Sequence, residues 1–257
     1  MTRRRLDEEM VARGLAGDVD AARRAIDSRT VTIDGAPGLK AATMVSPASR
    51  ISVDAGRRFV SRGGDKLQGA LEDFGFDVTG MRCLDAGAGS GGFTDCLLQL
   101  GAASVVAVDV GYGQFDWSLR TDPRVTLFER TNVRQLPAGL GPFDLVVGDL
   151  SFVSLRSLAE PLAAAAGPSG TCILLVKPQF EVRREEVGPG GIVTDPAAWE
   201  GSIRSAVEAL EAQGLGTLAV APSRLKGATG NQEFFLLARP GVQSTPGVAS
   251  AAVETAG

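Results

Sequence analysis

Between Met81 and Pro178 five short apolar runs alternate with stretches of helical character: MRCLDAG, SVVAVDV, RVTLFE, FDLVVGDL and TCILLVKP. Each run is apolar at consecutive positions, not only at every second one. Strands of that kind must be covered on both faces. Strands separated by helical crossovers pair in parallel. The pattern predicts an α/β domain with a doubly covered, mostly parallel sheet. A last long helix is expected over Pro196–Gln213. The runs LGTLAVAPS and QEFFLLAR then follow with no helix between them, which predicts an antiparallel ending to the sheet. A chain of 257 residues with a hydrophobic fraction of 44% supplies one sizeable core and a small appendage.

The appendage lies at the N-terminus. Leu6, Met10 and Val11 share one helical face, and Gly14 reads as its stop. Asp18 can cap a second helix with Ala22, Ala25 and Ile26 inward. A strand over Val31–Gly35 and a return strand over Arg50–Val53 complete a helix–helix–hairpin module. The expected boundaries are 1–56 for this module, 57–62 for a basic linker, 63–239 for the α/β domain and 240–257 for a disordered tail rich in Gly, Ala, Ser and Val. Charge is uneven between these parts. Residues 1–62 hold 12 Arg and Lys against 8 Asp and Glu, whereas the rest hold 14 against 22. A basic end on an acidic chain points to a nucleic-acid-binding segment.

Several chemistries are excluded at once. The chain has no histidine, which removes Ser-His-Asp triads, histidine bases and histidine metal sites. Its three cysteines, Cys83, Cys96 and Cys172, fit no metal-ligand spacing and read as reduced core residues. The opening MTRRRLDEEM has no apolar signal region, and no run of apolar residues long enough to span a membrane follows. A cytoplasmic protein with no membrane partner is expected.

LDAGAGSGGF (Leu84–Phe93) follows the first core strand and opens a helix. Gly87, Gly89 and Gly92 match the dinucleotide pattern G-x-G-x-x-G. Asp109 stands at the end of the second strand, where a ribose-binding acid belongs in either a dinucleotide or an S-adenosylmethionine site. Asp85 separates the two. A carboxylate beside the glycines repels a pyrophosphate, whereas S-adenosylmethionine carries an amino group, a sulfonium and no phosphate. The reading favours S-adenosylmethionine, with an NAD site as the alternative. Asn132, after the third strand, can bond an adenine edge or simply turn the chain.

Ligands of such sheets sit outside the carboxyl ends of the strands. Asp149 and Lys177 stand at the ends of the fourth and fifth strands, Glu233 early in the last, and Lys66 after the Gly63–Gly64 pair in SRGGDKL. Those glycines are expected to form a turn that lets Lys66 reach the rim. The four groups suit attack by a ribose hydroxyl on a sulfonium methyl. Burial and a second nearby cation favour a neutral lysine, so Lys177 is the expected base. Asp149 would orient it, and Glu233 would hold Lys66 or a sugar hydroxyl.

SRGGDKL, LDAGAGSGGFTDCLL, VDVGYGQFDWSLR, ERTN, DLSFVSL, VKPQFE and VGPGGIV together resemble the TlyA (hemolysin A) family of ribosomal RNA cytidine-2′-O-methyltransferases over residues 1 to about 239. The resemblance implies an N-terminal alpha-L RNA-binding module and a Rossmann-like class I, FtsJ-like methyltransferase domain whose seven-stranded sheet ends antiparallel. It also implies a Lys66–Asp149–Lys177–Glu233 tetrad. Cofactor contacts are implied at Asp85, Gly87, Ala88 and Gly89, at Gly91, Gly92, Phe93 and Thr94, and at Asp109, Val110, Asn132 and Asp149. Ribosomal RNA, within large and in some members small ribosomal subunits, is the implied substrate. Phosphate contacts are expected from Arg3, Arg4, Arg5, Arg13, Arg23, Arg24 and Arg29, and from Arg57, Arg58 and Arg62 near the linker. Phe59 is expected to pack. The loop Glu181–Pro196 is expected to close over the site, with Arg183 and Arg184 at RNA. Two stretches depart from the family pattern: AGDVDAARR puts acids where a Ser-Arg pair is usual, and DSRT stands where a glycine is common. The rival readings are an NAD-linked oxidoreductase, a non-catalytic RNA-binding assembly factor that keeps the fold, and a membrane-active hemolysin.

Overall fold

The computed structural model describes residues 3–27, 30–53, 58–137 and 139–256. The chain divides into two compact units, Met1–Arg58 and Phe59–Gly257.

In the first unit, β1 (Arg4–Arg5), α1 (Leu6–Ala12), α2 (Val19–Asp27), β2 (Val31–Ile33), β3 (Ala36–Pro37), β4 (Met44–Val45) and β5 (Ile51–Val53) follow in order. Asp18 caps α2 by accepting from the Ala21 N–H at 2.6 Å. β2 is the centre of a three-stranded sheet, antiparallel to both β3 and β5, and β1 pairs with β4. The β2–β3 turn holds Asp34 and Gly35 at positive φ, as a two-residue hairpin requires. The core is small: Leu6, Met10, Ala22, Ile26, Val31, Val45 and Ile51. Beneath it Asp7 is fully buried and takes a paired bond from Arg5 (3.0 Å twice) and another from Arg23 (3.1 Å). The Arg5 guanidinium is the main reason that its carboxyl is held at about 2.

The second unit runs α3 (Arg62–Phe74), β6 (Arg82–Ala86), α4 (Gly92–Gln99), β7 (Ser104–Val108), α5 (Trp117–Arg120), β8 (Val125–Phe128), β9 (Leu145–Gly148), α6 (Ala159–Ala166), β10 (Thr171–Val176), α7 (Pro178–Glu181), α8 (Pro196–Glu211), β11 (Leu215–Pro222), β12 (Phe234–Pro240) and α9 (Val248–Ala256). Its seven strands lie in the order β11-β12-β10-β9-β6-β7-β8. All five strands from β10 to β8 run parallel, and β12 runs against both β10 and β11. The consecutive apolar residues of each strand divide between two cores. Leu84, Val106, Val146, Leu174 and Leu236 face α6 and α8, while Cys83, Val105, Leu145, Ile173 and Phe235 face α3 and α4. That division is why the strands carry no polar face.

Three expectations are corrected. The Gly63–Gly64 pair is not a turn. Both glycines sit in the first turn of α3, capped by the Ser61 hydroxyl, which accepts from the Gly63 N–H at 3.3 Å. Gly64 is required because a Cβ there would run into the ring of buried Phe59, which packs as expected. Residues 59–62 therefore belong to the second unit and not to a linker, and the Val60 N–H bonds Asp95 at 2.8 Å. The tail beyond 240 is ordered. Thr245 donates its N–H to Thr217 of edge strand β11 at 2.8 Å, and α9 follows with Ala252 buried and Val248, Ala249 and Val253 against the core. The alanines of α9 favour a helix, and its apolar face finds cover on the sheet edge.

Gly64→Ala forces a methyl group into the Phe59 ring. A loss of about 1–3 kcal/mol is expected, read by calorimetry as a fall in Tm of about 2–4 °C per kcal/mol for a domain of this size.

Candidate active site

The carboxyl edge of the parallel strands builds the site. β6 ends at Ala86, and Gly87 turns the chain at φ +82 so closely under β9 that a Cβ would lie 2.8 Å from the Asp149 carbonyl oxygen. The loop then climbs to α4. The Asp109 carboxylate, just after β7, accepts from the Gly89 N–H at 2.7 Å and the Gly111 N–H at 2.6 Å. Asp85, inside β6, is fully buried. Its Oδ2 accepts from both the N–H and the hydroxyl of Thr94 (3.0 and 2.7 Å), while its Oδ1 has no hydrogen-bond partner among the described residues. Burial, above all, pushes its carboxyl up to about 7, and the negative charges of Asp149 and Asp109 push the same way.

Above the loop lies a cavity of about 730 Å³. Gly87, Ala88, Gly89, Gly92, Phe93, Asp109, Val110, Asn132, Asp149 and Lys66 all border it. Asp85, Gly91 and Thr94 do not: Asp85 and Thr94 lie beneath the floor, bonded to one another, and Gly91 caps α4. Asn132 also caps a short turn, its Oδ1 accepting from the Arg134 N–H at 3.0 Å.

The four expected ionisable groups form two ion pairs. Lys66 Nζ meets Glu233 Oε2 at 2.6 Å, and Lys177 Nζ meets Asp149 Oδ1 at 2.5 Å and donates to Ser151 Oγ at 2.7 Å. One member of each pair, Lys66 and Asp149, borders the cavity, and its partner lies within 2.6 Å of it. Lys66, Lys177 and Glu233 are each less than a tenth exposed, so each charge depends on its partner. Strand direction makes the arrangement possible. β12 is antiparallel to β10 with Val176 opposite Phe234, so Glu233 leads into β12 at the edge where Lys177 leaves β10. A parallel β12 would put Glu233 at the far end of the sheet.

Sequence reasoning missed several residues at the site. Ser151 and Gln179, whose Nε2 lies 3.5 Å from Glu233 Oε1, touch the tetrad; both sit inside quoted motifs, DLSF and VKPQF, but no spacing distinguished them. Lys226 and Ala228 border the cavity from the β11–β12 connection, and Arg62 bonds the Lys226 carbonyl at 3.3 Å. No local pattern marks that loop. Conversely, no residue of 182–195 borders the cavity. Asn231 holds that segment by accepting from the Val193 N–H (2.9 Å) and donating to the Gly191 carbonyl (2.8 Å), and Arg183 pairs with Glu186 at 3.0 Å.

The sheet order agrees with the fold of the proteins that the chain resembles. Residues 59–239 match the model of the FtsJ-like methyltransferase family. The chain belongs to that family. It is 49% identical over 241 residues to the 16S/23S rRNA (cytidine-2′-O)-methyltransferase TlyA of Mycobacterium tuberculosis, covering 92% of this chain and 90% of the relative. A solved structure from Streptococcus thermophilus, provisionally named a hemolysin, is 32% identical with a TM-score of 0.74, over 99% of this chain and 94% of the other. An S-adenosylmethionine-dependent methyltransferase from Mesorhizobium loti, 16% identical over 68% of this chain and 97% of its own, shares the fold with a TM-score of 0.50. Among the described residues no helix is long and apolar enough to cross a membrane.

The arginines expected at RNA in this methyltransferase separate into two groups. Arg5 and Arg23 are committed to Asp7, and Arg13 donates to Glu9 (2.8 Å) and to the carbonyls of Ser46, Pro47 and Ser49. Those three hold the first unit together. Arg3, Arg4, Arg24, Arg58 and Arg62 are exposed. Arg29 and Arg57 lie outside the described residues.

Asp85 supplies a pH test. Its carboxyl is higher in the folded chain than in the unfolded one, so the folded state binds the extra proton between pH 4 and 7 and loses that advantage as pH rises through 7. Asp85→Asn keeps an oxygen for Thr94 and removes the buried charge. The variant's Tm should exceed the parent's at pH 8, and the difference should shrink toward zero near pH 4; a lower Tm at pH 8 contradicts the account.

Proposed function

We propose that the chain transfers a methyl group from S-adenosylmethionine to the ribose 2′-hydroxyl of a cytidine in ribosomal RNA. The observation that carries this reading is the near full-length identity to the Mycobacterium tuberculosis rRNA (cytidine-2′-O)-methyltransferase, together with two buried lysine–carboxylate pairs at the rim of a cavity built on the glycine loop.

The donor fits the residues present. Asp85, Asp109 and Asp149 surround the loop, and the orphaned Oδ1 of Asp85 offers a buried acceptor. A ligand with positive charge and no phosphate suits such a set; a pyrophosphate does not. Asp109 and Asn132 are suited to hold ribose and adenine, and the absence of a side chain at Gly89 leaves open space beside the backbone. When bound, S-adenosylmethionine supplies a methyl group on a sulfonium that leaves as a neutral thioether.

The chain's own part is positioning and proton handling. A ribose hydroxyl is a weak acid and must shed its proton as its oxygen takes the methyl. Lys177 in its neutral amine form accepts that proton at Nζ, and Asp149, at 2.5 Å, stabilises the ammonium that forms. Lys66, held by Glu233, presents its ammonium to the attacking oxygen and keeps it in line. The exposed arginines of the first unit and Arg58 and Arg62 provide sequence-independent phosphate contacts.

The decisive experiment incubates labelled S-adenosylmethionine with ribosomal RNA and with subunits lacking the modification, then maps the label. Label on a cytidine 2′-oxygen upholds the proposal; donor binding with no label transferred points to an assembly factor. Lys177→Ala should lower transfer by about 10²–10⁴-fold while the donor Kd in calorimetry stays unchanged. Lys177 is the member to remove, because its partner Asp149 keeps 25% of its side-chain exposure and can be rehydrated, whereas Glu233 keeps 3%. Donor affinity itself should rise with pH up to about 7 and then level, since a cation beside Asp85 favours the ionised carboxylate. In filter binding, Arg3→Ala and Arg4→Ala should weaken RNA affinity and reduce its salt slope by about one per removed charge.

A further inference from the structure

One buried acid stands next to the tetrad without belonging to it. Glu181 closes α7, a single helical turn whose first flanking residue is Lys177. It is 9% exposed. Its Oε2 accepts from the Ser154 hydroxyl at 2.5 Å and its Oε1 from the Leu155 N–H at 2.6 Å. Arg156 Nε lies 3.8 Å from Oε2. Burial pushes the carboxyl up, and the bonds from Ser154 and Leu155, with the Arg156 charge, work against that push.

These contacts fall into a pattern with those of its neighbours. The strap Asp149–Leu155 leaves β9 and is touched at three points by α7 and the residue before it. Lys177 takes its beginning through Asp149 and Ser151. Phe180 lies under its middle, ring to ring with Phe152 at 5.2 Å. Glu181 takes its end through Ser154 and Leu155. The strap needs such a grip, because Phe152 sits at φ +63 with 91% of its surface exposed. A bulky side chain in that backbone conformation is strained and persists only where the surroundings hold it. A carboxylate at 181 accepts two bonds without bringing a donor of its own, and charge-assisted bonds of this kind are the stronger sort.

We propose that Glu181 is a positioning residue: it fastens the far end of the strap, so that Asp149 and Ser151 stay in register with Lys177 Nζ. The proposal rests on the reading of Lys177 and Asp149 as reacting-site groups. Loss of the grip leaves the fold and the glycine loop intact, and it lets the Asp149–Lys177 geometry drift. Misplacement of about 1 Å at a reacting centre costs about 10²-fold in rate.

The test uses the full chain and two variants, Glu181→Ala and Glu181→Gln. Steady-state methyl transfer to ribosomal RNA gives kcat and KM, calorimetry gives the donor Kd, and hydrogen exchange follows the Leu155 amide. Glu181→Ala should lose about 10²-fold in kcat, with donor Kd unchanged and Leu155 protection gone. Glu181→Gln keeps an oxygen for the Leu155 N–H and an amide group for Ser154 Oγ, so it should retain protection and recover most of kcat. The inference is overturned if Glu181→Ala turns over like the parent, if Glu181→Gln is as slow as the alanine variant with its amide protected, or if the Leu155 amide is unprotected in the parent. A parent that methylates no RNA, yet whose Leu155 protection depends on Glu181, upholds the grip and overturns the functional reading instead.

Discussion

Two buried lysine–carboxylate pairs set the terms for the rest of this structure. A lone charge that is less than a tenth exposed is costly, and removing one partner of a buried pair costs about 3–5 kcal/mol. Lys66 with Glu233, and Lys177 with Asp149, must therefore be assembled together or not at all. Their four residues come from α3, the end of β9, the end of β10 and the start of β12. The sheet order that places β10 between β9 and β12 brings three of those ends to one edge. The antiparallel sense of β12 then delivers Glu233 to that edge, and the site depends on this one reversal.

The fourth group depends on close helix packing. Lys66 reaches the cavity because α3 and α4 approach with almost no side chain between their first turns. A Cβ on Gly92 would collide with Ser61 Oγ and lie 2.9 Å from the Gly64 nitrogen, and one on Gly64 would collide with Phe59. Gly64 thus makes room for Phe59, and Gly92 makes room for the first turn of α3. The same approach sets the glycine loop under the lysine, so the floor and the rim of the cavity share one piece of packing.

The first unit resolves a question that its composition raises. Its excess of arginine over acid suggests a surface given over to phosphate, yet Arg5, Arg13 and Arg23 spend their guanidinium donors on Asp7, Glu9 and backbone carbonyls. A unit with a seven-residue apolar core uses charge-assisted bonds as part of its framework. Arg3, Arg4 and Arg24 are exposed.

Read from the residues alone, the chain already determined its sheet, because consecutive apolar positions admit only strands covered on both faces, and its glycine loop, because Asp85 beside Gly87 disfavours a phosphate. Lys66, Asp149, Lys177 and Glu233 were legible too, through their places at strand ends and in motifs of a recognisable family. Local pattern could not show which partner each charge would take, since Lys66 and Glu233 stand 167 residues apart and meet only through the register of β12. Nor could it show that Gly63–Gly64 opens a helix, that Lys226 borders the cavity, or that the Ala- and Val-rich tail is ordered. Each of those outcomes is decided by a surface that another element supplies: the Phe59 ring, the β11–β12 connection and the sheet edge at β11. Short-range pattern records what a segment can bury or bond; only the assembled fold decides what it meets.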